Sequence, residues 1–230
     1  YKWPSALDTW PALIMFFLFA WFENVYSGSS APNILAISLI GYSIYSFGGM
    51  FIFGRHVWLR HADPFFVLFS LFSRFSITEI RVVTSDEKDP VCKKCSSLCF
   101  DVTLKDCVDC YECWEAAPDE LRKFSFRFFA SGLARGEKIS WALVSFHITA
   151  LATVTFDGFA ETPAWLSVQN TLWPFFEISP FSTSATIKTL GILFFPLLFF
   201  GVYVWVCGNI AKFSQNRVSR DEVIKSFVFS

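Results

Sequence analysis

The stretch Ile34 to Phe53, ILAISLIGYSIYSFGGMFIF, contains no charged residue. A helix needs about 20 consecutive apolar residues to cross the hydrocarbon core of a bilayer. The stretch therefore predicts a membrane-spanning helix. The whole chain of 230 residues has a matching composition, with a mean hydropathy of +0.45 and 17% charged residues. Soluble domains average about 25% charged residues, so the sequence predicts an integral membrane protein of the all-α class.

Three more segments have the composition of membrane helices. They are Trp10 to Tyr26, Ile139 to Phe156 and Leu190 to Ala211. Together with the first stretch they predict two membrane helices within residues 1–62 and two within residues 139–212. Pro196 lies inside the last segment, where we expect it to kink the helix. The connection 159–188 is aromatic and interrupted by prolines, so we expect it to lie along the outer membrane surface.

Residues 63–81, DPFFVLFSLFSRFSITEIR, form a fifth apolar segment. Asp63 followed by Pro64 is the sequence typical of a helix start, with the carboxylate as N-cap. The apolar run ends at Arg74, too early to cross the hydrocarbon core. The segment therefore predicts a re-entrant or interfacial helix. The alternative is a fifth span whose charges are buried inside a bundle.

Lysine and arginine are unevenly distributed among the connections. They concentrate in the connection 82–138 and in the tail 213–230, whereas the connection 159–188 carries only Lys188. Membrane proteins keep the connections richer in Lys and Arg on the cytoplasmic side. Four spans would place both termini, the connection 82–138 and the tail in the cytoplasm. The net charge of −1 gives no indication of a nucleic-acid partner.

The chain has 7 cysteines, and all but Cys207 lie within residues 91–114, VCKKCSSLCFDVTLKDCVDCYECW. Cys92 and Cys95 form one C-x2-C pair, and Cys107 and Cys110 form a second. Cytoplasmic thiols are kept reduced, so disulfides are disfavoured there. Two C-x2-C pairs at this separation are typical of a structural zinc site with four thiolate ligands. Residues 82–138 are therefore predicted to form a small cytoplasmic module held together by zinc.

Two other thiols keep alternatives open. Cys99 and Cys113 are alternate zinc ligands, and Cys107, Cys110 and Cys113 together form a C-x2-C-x2-C run that resembles the start of an iron–sulfur site. If the module faces the outside, disulfides become the better interpretation. The thiols could also be uncoordinated. Cys207, inside the fourth predicted span, is expected to be a small buried hydrophobic residue.

Ionisable residues within or beside spans are candidates for function. His147, near the middle of the third predicted span, could bind a metal or cofactor or relay protons, and the alternative is a hydrogen bond to a neighbouring helix. Two sets lie near helix ends: the outer carboxylates Glu23, Asp157 and Glu161, and the inner group His56, His61 and Asp63. The outer set could bind a cation or a partner's arginine, or could be solvated. The inner set could contact lipid headgroups.

Four motifs resemble those of a known family. They are WPALIMFFLFAWFENVY, GMFIFGRHVWL, FSLFSRFSITEIR and, most specifically, LATVTFDGFAETPAW from Leu151 to Trp165. Together they resemble a family of prokaryotic multi-span membrane proteins labelled fenitrothion hydrolase-like. The resemblance implies a polytopic fold in a prokaryotic cell membrane. It also implies a longer protein with additional N-terminal spans. It carries over no catalytic residues, and the Cys-rich connection is longer here than in the family.

No hydrolase, metalloprotease, P-loop or dinucleotide-binding motif occurs in the sequence. We therefore expect an accessory subunit of a larger membrane complex, whose partners are the bilayer and other membrane subunits. The alternative is a membrane-bound hydrolase or redox protein that uses His147, His56, His61 or an iron–sulfur centre. A transporter is a further alternative, although only His147 and Pro196 suggest one.

Overall fold

The structure is a computed structural model. It describes residues 2–83, 100–101, 106–135, 139–177, 182–214 and 219–227. The chain divides into two compact units, and the membrane unit comprises residues 1–68 and 136–230. The second unit, Phe69–Arg135, is called the module below. The protein is mostly helical, which confirms the predicted helical membrane class in its coarse form.

The helices are α1 (Trp10–Val25), α2 (Pro32–Phe53), α3 (Arg55–His61), α4 (Pro64–Ser73), α5 (Tyr111–Ala116), α6 (Trp141–Ala160), α7 (Pro163–Phe176), α8 (Thr183–Phe213) and α9 (Arg220–Phe227). The strands are β1 (Thr78–Val83), β2 (Phe100–Asp101), β3 (Asp106–Val108) and β4 (Arg122–Phe126). Short 3-10 helices occupy Asp119–Leu121 and Ser131–Arg135.

Three helices are long and apolar enough to cross a membrane in the described part of the chain: α2, α6 and α8. They correspond to three of the four predicted spans. The fourth corresponds to α1, which has 16 residues. At 1.5 Å per residue α1 covers about 24 Å, less than the roughly 30 Å of a hydrocarbon core. The prediction that α1 also spans is left open.

The chain reverses direction after α2. Gly54 has a φ of 86°, a left-handed conformation that favours glycine, and α3 then returns along α2. The two helices approach closely at Gly49, where an added Cβ would lie 1.9 Å from Cε2 of Trp58. The Tyr45 hydroxyl also donates to the Ala62 carbonyl at 2.9 Å. The hairpin of α2 and α3 is therefore closed by an aromatic side chain that fits against a glycine.

Helix α6 lies at the centre of the membrane unit, packed against α1 and α8. Phe156 and Trp165 meet edge to face at 5.1 Å, beside the buried Ile187 and Ile192. The Trp21 indole of α1 donates to the Thr189 hydroxyl of α8 at 3.1 Å. Helix α8 continues through Pro196 as one element.

The module contains a small antiparallel sheet that the sequence analysis did not predict. Its strand order is β2-β3-β1-β4, which makes β4 an edge strand. The helix expected across residues 63–81 ends at Ser73, and Thr78–Val83 is strand β1. Ile80, Val82 and Val83 are β-branched and favour a strand once β3 and β4 can pair on either side. The module begins at Phe69 and ends at Arg135, whereas the sequence predicted residues 82–138.

Candidate functional site

A buried carboxylate lies where α3 passes into α4. Asp63 is 3% exposed. Its Oδ1 accepts the Phe66 amide at 2.8 Å, which confirms the predicted N-cap of α4. Its Oδ2 accepts hydroxyls from two residues of α2: Tyr42 at 2.6 Å and Ser46 at 2.9 Å. The carboxylate thus joins the end of α3, the start of α4 and the middle of α2. These residues are called the Asp63 site below.

The donors that bind the Asp63 carboxyl group are all neutral. Within the part of the chain that the structure describes, no Lys, Arg or His side chain pairs with Asp63. Tyr42 is near the midpoint of α2, so Asp63 lies level with the middle of a candidate span. A buried carboxylate at such a depth is costly unless it serves a purpose. This placement is what makes the Asp63 site a functional candidate.

Aromatic rings surround the Asp63 site. The Phe65 ring contacts Tyr42 at 5.4 Å and Phe19 of α1 at 5.2 Å. On the α3 side, the Tyr45 ring lies 5.0 Å from Trp58. The site thus brings together a carboxyl group, two phenols, a serine hydroxyl and the Ala62 carbonyl, with aromatic side chains around them. Oxygen ligands of this kind suit a proton or a hard cation rather than a soft transition metal.

Sequence reasoning identified Asp63 but missed Tyr42, Tyr45 and Ser46. They lie in the charge-free stretch of α2, which was interpreted only as a membrane span. The available signal was their spacing, because positions i, i+3 and i+4 share one face of a helix. Three hydroxyls on one face of a span indicate a polar neighbour.

The members of the predicted inner group, His56, His61 and Asp63, have different contacts, and their role at lipid headgroups stays a prediction. The His61 ring stacks on Trp3 at 5.4 Å, and its Nδ1 lies 3.9 Å from an Asp8 carboxylate oxygen. His56 lies beside Arg55, with 3.3 Å between Nε2 and Nη2. The two histidines thus contact residues other than Asp63.

His147 is buried in α6, with 7% exposure, and its ring meets Phe146 edge to face at 5.9 Å. The outer carboxylates Glu23, Asp157 and Glu161 are all exposed. Among the described residues, no group of three or more His, Cys, Asp or Glu side chains is placed to hold a metal ion. A cofactor-binding role for His147 stays a prediction.

The cysteines of the predicted zinc site are only partly described. Cys92, Cys95 and Cys99 lie outside the described residues. Cys107 belongs to a disulfide bond. A sulfur in a disulfide is not a thiolate, so this form of Cys107 does not ligate zinc. Cys110, at 5% exposure, is buried in the module.

The described cysteines of the module belong to its apolar core. Cys107 and Cys113 are 1% and 0% exposed, and they cluster with Val82 of β1 and Ala117. Trp114 and Leu121 pack against the same cluster. Helix α5 thus covers one end of one face of the sheet. Cys207 is fully buried in α8, as expected for a small hydrophobic residue.

A buried ion network occupies the other face of the sheet. The Glu79 side chain is 2% exposed and pairs with Arg81 and, at 3.5 Å, with Arg127. The Ser125 hydroxyl donates to Glu79 at 3.0 Å, and Arg127 also pairs with Asp109. Sequence reasoning missed this network because it depends on the pairing of β1 with β4. The alternation of apolar and charged residues in TEIRVV was the signal for a strand.

Comparison with known proteins adds no relative. No family model, no curated protein and no solved structure matches this chain. The resemblance to the fenitrothion hydrolase-like family therefore rests on the quoted motifs, and it stays a prediction.

Proposed function

We propose that this protein is a subunit of a larger membrane complex and that α2 is the helix that contacts its partner. The supporting observation is a seam on α2 made of Ile37, Gly41, Ile44, Gly48 and Phe51. These residues repeat with alternating spacings of four and three, the pattern of helices that pack side by side. Ile37, Ile44 and Phe51 are 66%, 69% and 92% exposed. Among the described residues nothing covers this seam, and a helix of another subunit would cover it.

The glycines of the seam support a helix rather than lipid as the partner. A Cβ added at Gly41 or Gly48 would meet nothing within 4 Å. At Gly49, which faces the chain's own core, Trp58 fills the corresponding space. Small residues let two membrane helices approach closely. A shallow groove beside the seam is lined by the seam residues Ile44 and Gly48 together with Leu39, Ile40, Ser43 and Phe47.

Burial within the chain differs strongly among the candidate spans. In the most apolar window of α6, 56% of the residues are buried, against 11% in α2 and 17% in α8. Helix α6 is therefore an internal core helix, whereas α2 has its packing surface directed outward. A peripheral helix with a regular seam is what an accessory subunit needs for docking.

The experiment is co-purification of the full chain from native membranes in mild detergent. Gly48→Leu is expected to lower the amount of partner recovered several-fold, because the larger side chain keeps a partner helix from approaching Gly48 closely. Gly201→Leu is the matched control, since Gly201 of α8 also has nothing within 4 Å but lies outside the seam. Recovery of the wild-type chain without any partner, or equal loss in both variants, would contradict the proposal.

The Cys-rich segment is proposed to be held by zinc when its thiols are reduced. The two C-x2-C pairs support this proposal, with Cys92, Cys95, Cys107 and Cys110 as ligands and Cys99 and Cys113 as alternates. A zinc site and a disulfide at Cys107 exclude each other. Metal analysis of the reduced full chain is expected to give about one zinc per chain without iron. Iron with a visible absorbance would favour an iron–sulfur centre instead.

A second candidate function is transport of protons or a small monovalent cation through the Asp63 site. Its specific support is the buried Asp63 carboxyl group, which accepts hydrogen bonds from neutral donors at the break between α3 and α4, level with the middle of α2. Transporters bind ions at helix breaks of this kind. A hydrolase or redox role for His147 has no comparable support.

Flux through the full chain in liposomes tests this second candidate. The wild-type protein is expected to dissipate an imposed sodium or proton gradient, and Asp63→Asn to abolish the flux. Asp157→Asn is the control, because it removes an exposed carboxylate of α6. Absence of wild-type flux, or equal flux in Asp63→Asn, would reject a transport role.

A further inference from the structure

A row of phenylalanines lies bare on the edge strand of the module. Phe124 and Phe126 of β4 and Phe128 just beyond it are 62%, 76% and 90% exposed. Alternate residues of a strand point to the same face, so Phe124 and Phe126 share one face of the sheet. Opposite them in β1, Ile80 pairs with Phe124 and Thr78 with Phe126. Phe124, Phe126 and Phe128 are called the Phe row below.

The two ends of this sheet face differ. At one end, α5 covers Val82 and Cys107. At the other end, the Phe row has no such cover among the described residues. The opposite face of the sheet carries the network of Glu79 and Arg127, so it is polar. The bare aromatic half-face is thus not a second core surface of the module.

The end of β4 lies beside the end of α4. The Arg127 guanidinium donates to the Ser73 carbonyl at 2.7 Å and to the Ser76 carbonyl at 2.9 Å, which fixes the end of β4 beside the end of α4. Phe129 contacts Phe75 at 6.0 Å between ring centroids. On α4 itself, two phenylalanines are exposed, Phe69 at 61% and Phe72 at 56%. Exposed phenylalanines are therefore present both on the end of α4 and on β4.

We infer that the Phe row and the adjoining end of α4 insert into the headgroup and acyl boundary of the bilayer. Lipid is the occupant because β4 ends beside the end of α4, an apolar helix whose first residues, Pro64 to Leu68, belong to the membrane unit. The chain enters the module through α4 and leaves it shortly before α6, so both connections lead to membrane helices. A surface rich in Phe and held at such a site is typical of interfacial attachment. This inference does not depend on the partner proposed for α2.

The test is photocrosslinking of the full chain in membranes of phosphatidylethanolamine and phosphatidylglycerol. p-Benzoylphenylalanine replaces Phe126 in one sample, a change that preserves the aromatic ring. In the control it replaces Lys123, an exposed residue on the opposite face of the same strand. Mass spectrometry of the irradiated chain is expected to show lipid adducts several-fold more abundant at position 126 than at 123.

Two results would overturn the inference. Equal lipid adducts at both positions, including none at either, would show that the Phe row does not face lipid. A protein crosslink at position 126 in native membranes would assign the surface to another chain. Phe126→Glu provides an independent measurement, because it should increase hydrogen exchange at β4 in detergent-free bilayers only if lipid covers the row.

Discussion

Two adjacent glycines of α2 have opposite surroundings. Gly49 lies against the Trp58 ring, where an added Cβ would be 1.9 Å from Cε2, whereas Gly48 has nothing within 4 Å. Gly49→Ala should therefore destabilise the protein by about 1–3 kcal/mol, the usual cost of overpacking a filled site. Gly48→Ala should be neutral or slightly stabilising, because alanine favours helix by up to about 1 kcal/mol.

Thermal unfolding in one detergent measures both glycine variants. A lower melting temperature for Gly49→Ala with an unchanged value for Gly48→Ala is the expected result. Equal melting temperatures would mean that α3 does not pack on α2 as described.

Arg127 stabilises the module from within. Its side chain is 6% exposed, and it pairs with Glu79 and Asp109 while donating to two carbonyls. Removing one partner of a buried ion pair costs about 3–5 kcal/mol, because the remaining charge is left uncompensated. Arg127→Met should therefore increase hydrogen exchange throughout β1 and β4. Lys123→Met, on an exposed residue of the same strand, should leave the exchange unchanged.

At the scale of elements, the long apolar helices were predictable and the module was not. Charge-free stretches of sufficient length specify α2, α6 and α8 directly, because the bilayer requires backbone hydrogen bonds to close within each segment. The sequence predicts the end of a helix where β1 lies. The strand forms by pairing with β3 and β4, which lie far along the chain, so a local pattern does not reveal it. The sequence predicts Asp63 as the start of a helix, because the N-cap pattern is local. It does not predict the hydroxyl partners of Asp63, because they approach it only when α3 folds back along α2.

The contact between α9 and α6 should depend on pH. The Asp221 carboxylate accepts hydrogen bonds from Lys225 and from the Trp141 indole, the second at 2.9 Å. These hydrogen bonds lower the pKa of Asp221 below its ordinary value of 3.8. A carboxyl group whose pKa is lower in the folded state stabilises the folded contact at every pH above its pKa in the unfolded state. This stabilisation is lost as the pH falls through the pKa of the folded state. Hydrogen exchange in α9 should therefore rise only below about pH 3.8. In Asp221→Asn this step should be absent, and a step of equal size would contradict the assignment.

At the scale of the whole molecule, lysine distribution and cysteine chemistry make opposing predictions. The excess of Lys and Arg in residues 82–138 predicts that they are cytoplasmic, where thiols stay reduced and zinc can bind. The disulfide at Cys107 is the form expected on an oxidising side of the membrane. One measurement of sidedness therefore bears on both the topology and the cofactor.

The tail after α8 reports the side of the module. Two candidate spans, α6 and α8, separate the module from the tail, so the two lie on the same side if both helices cross, whether or not α1 crosses. A fluorescent protein appended after Ser230 should fluoresce, and alkaline phosphatase at the same place should be inactive, if the tail is cytoplasmic. We expect this result together with full modification of all module thiols by a maleimide, added in neutral denaturing buffer after acid quenching of the cells. An active phosphatase fusion with Cys107 protected from the maleimide would instead place the module outside. Disulfides rather than zinc would then hold the module together.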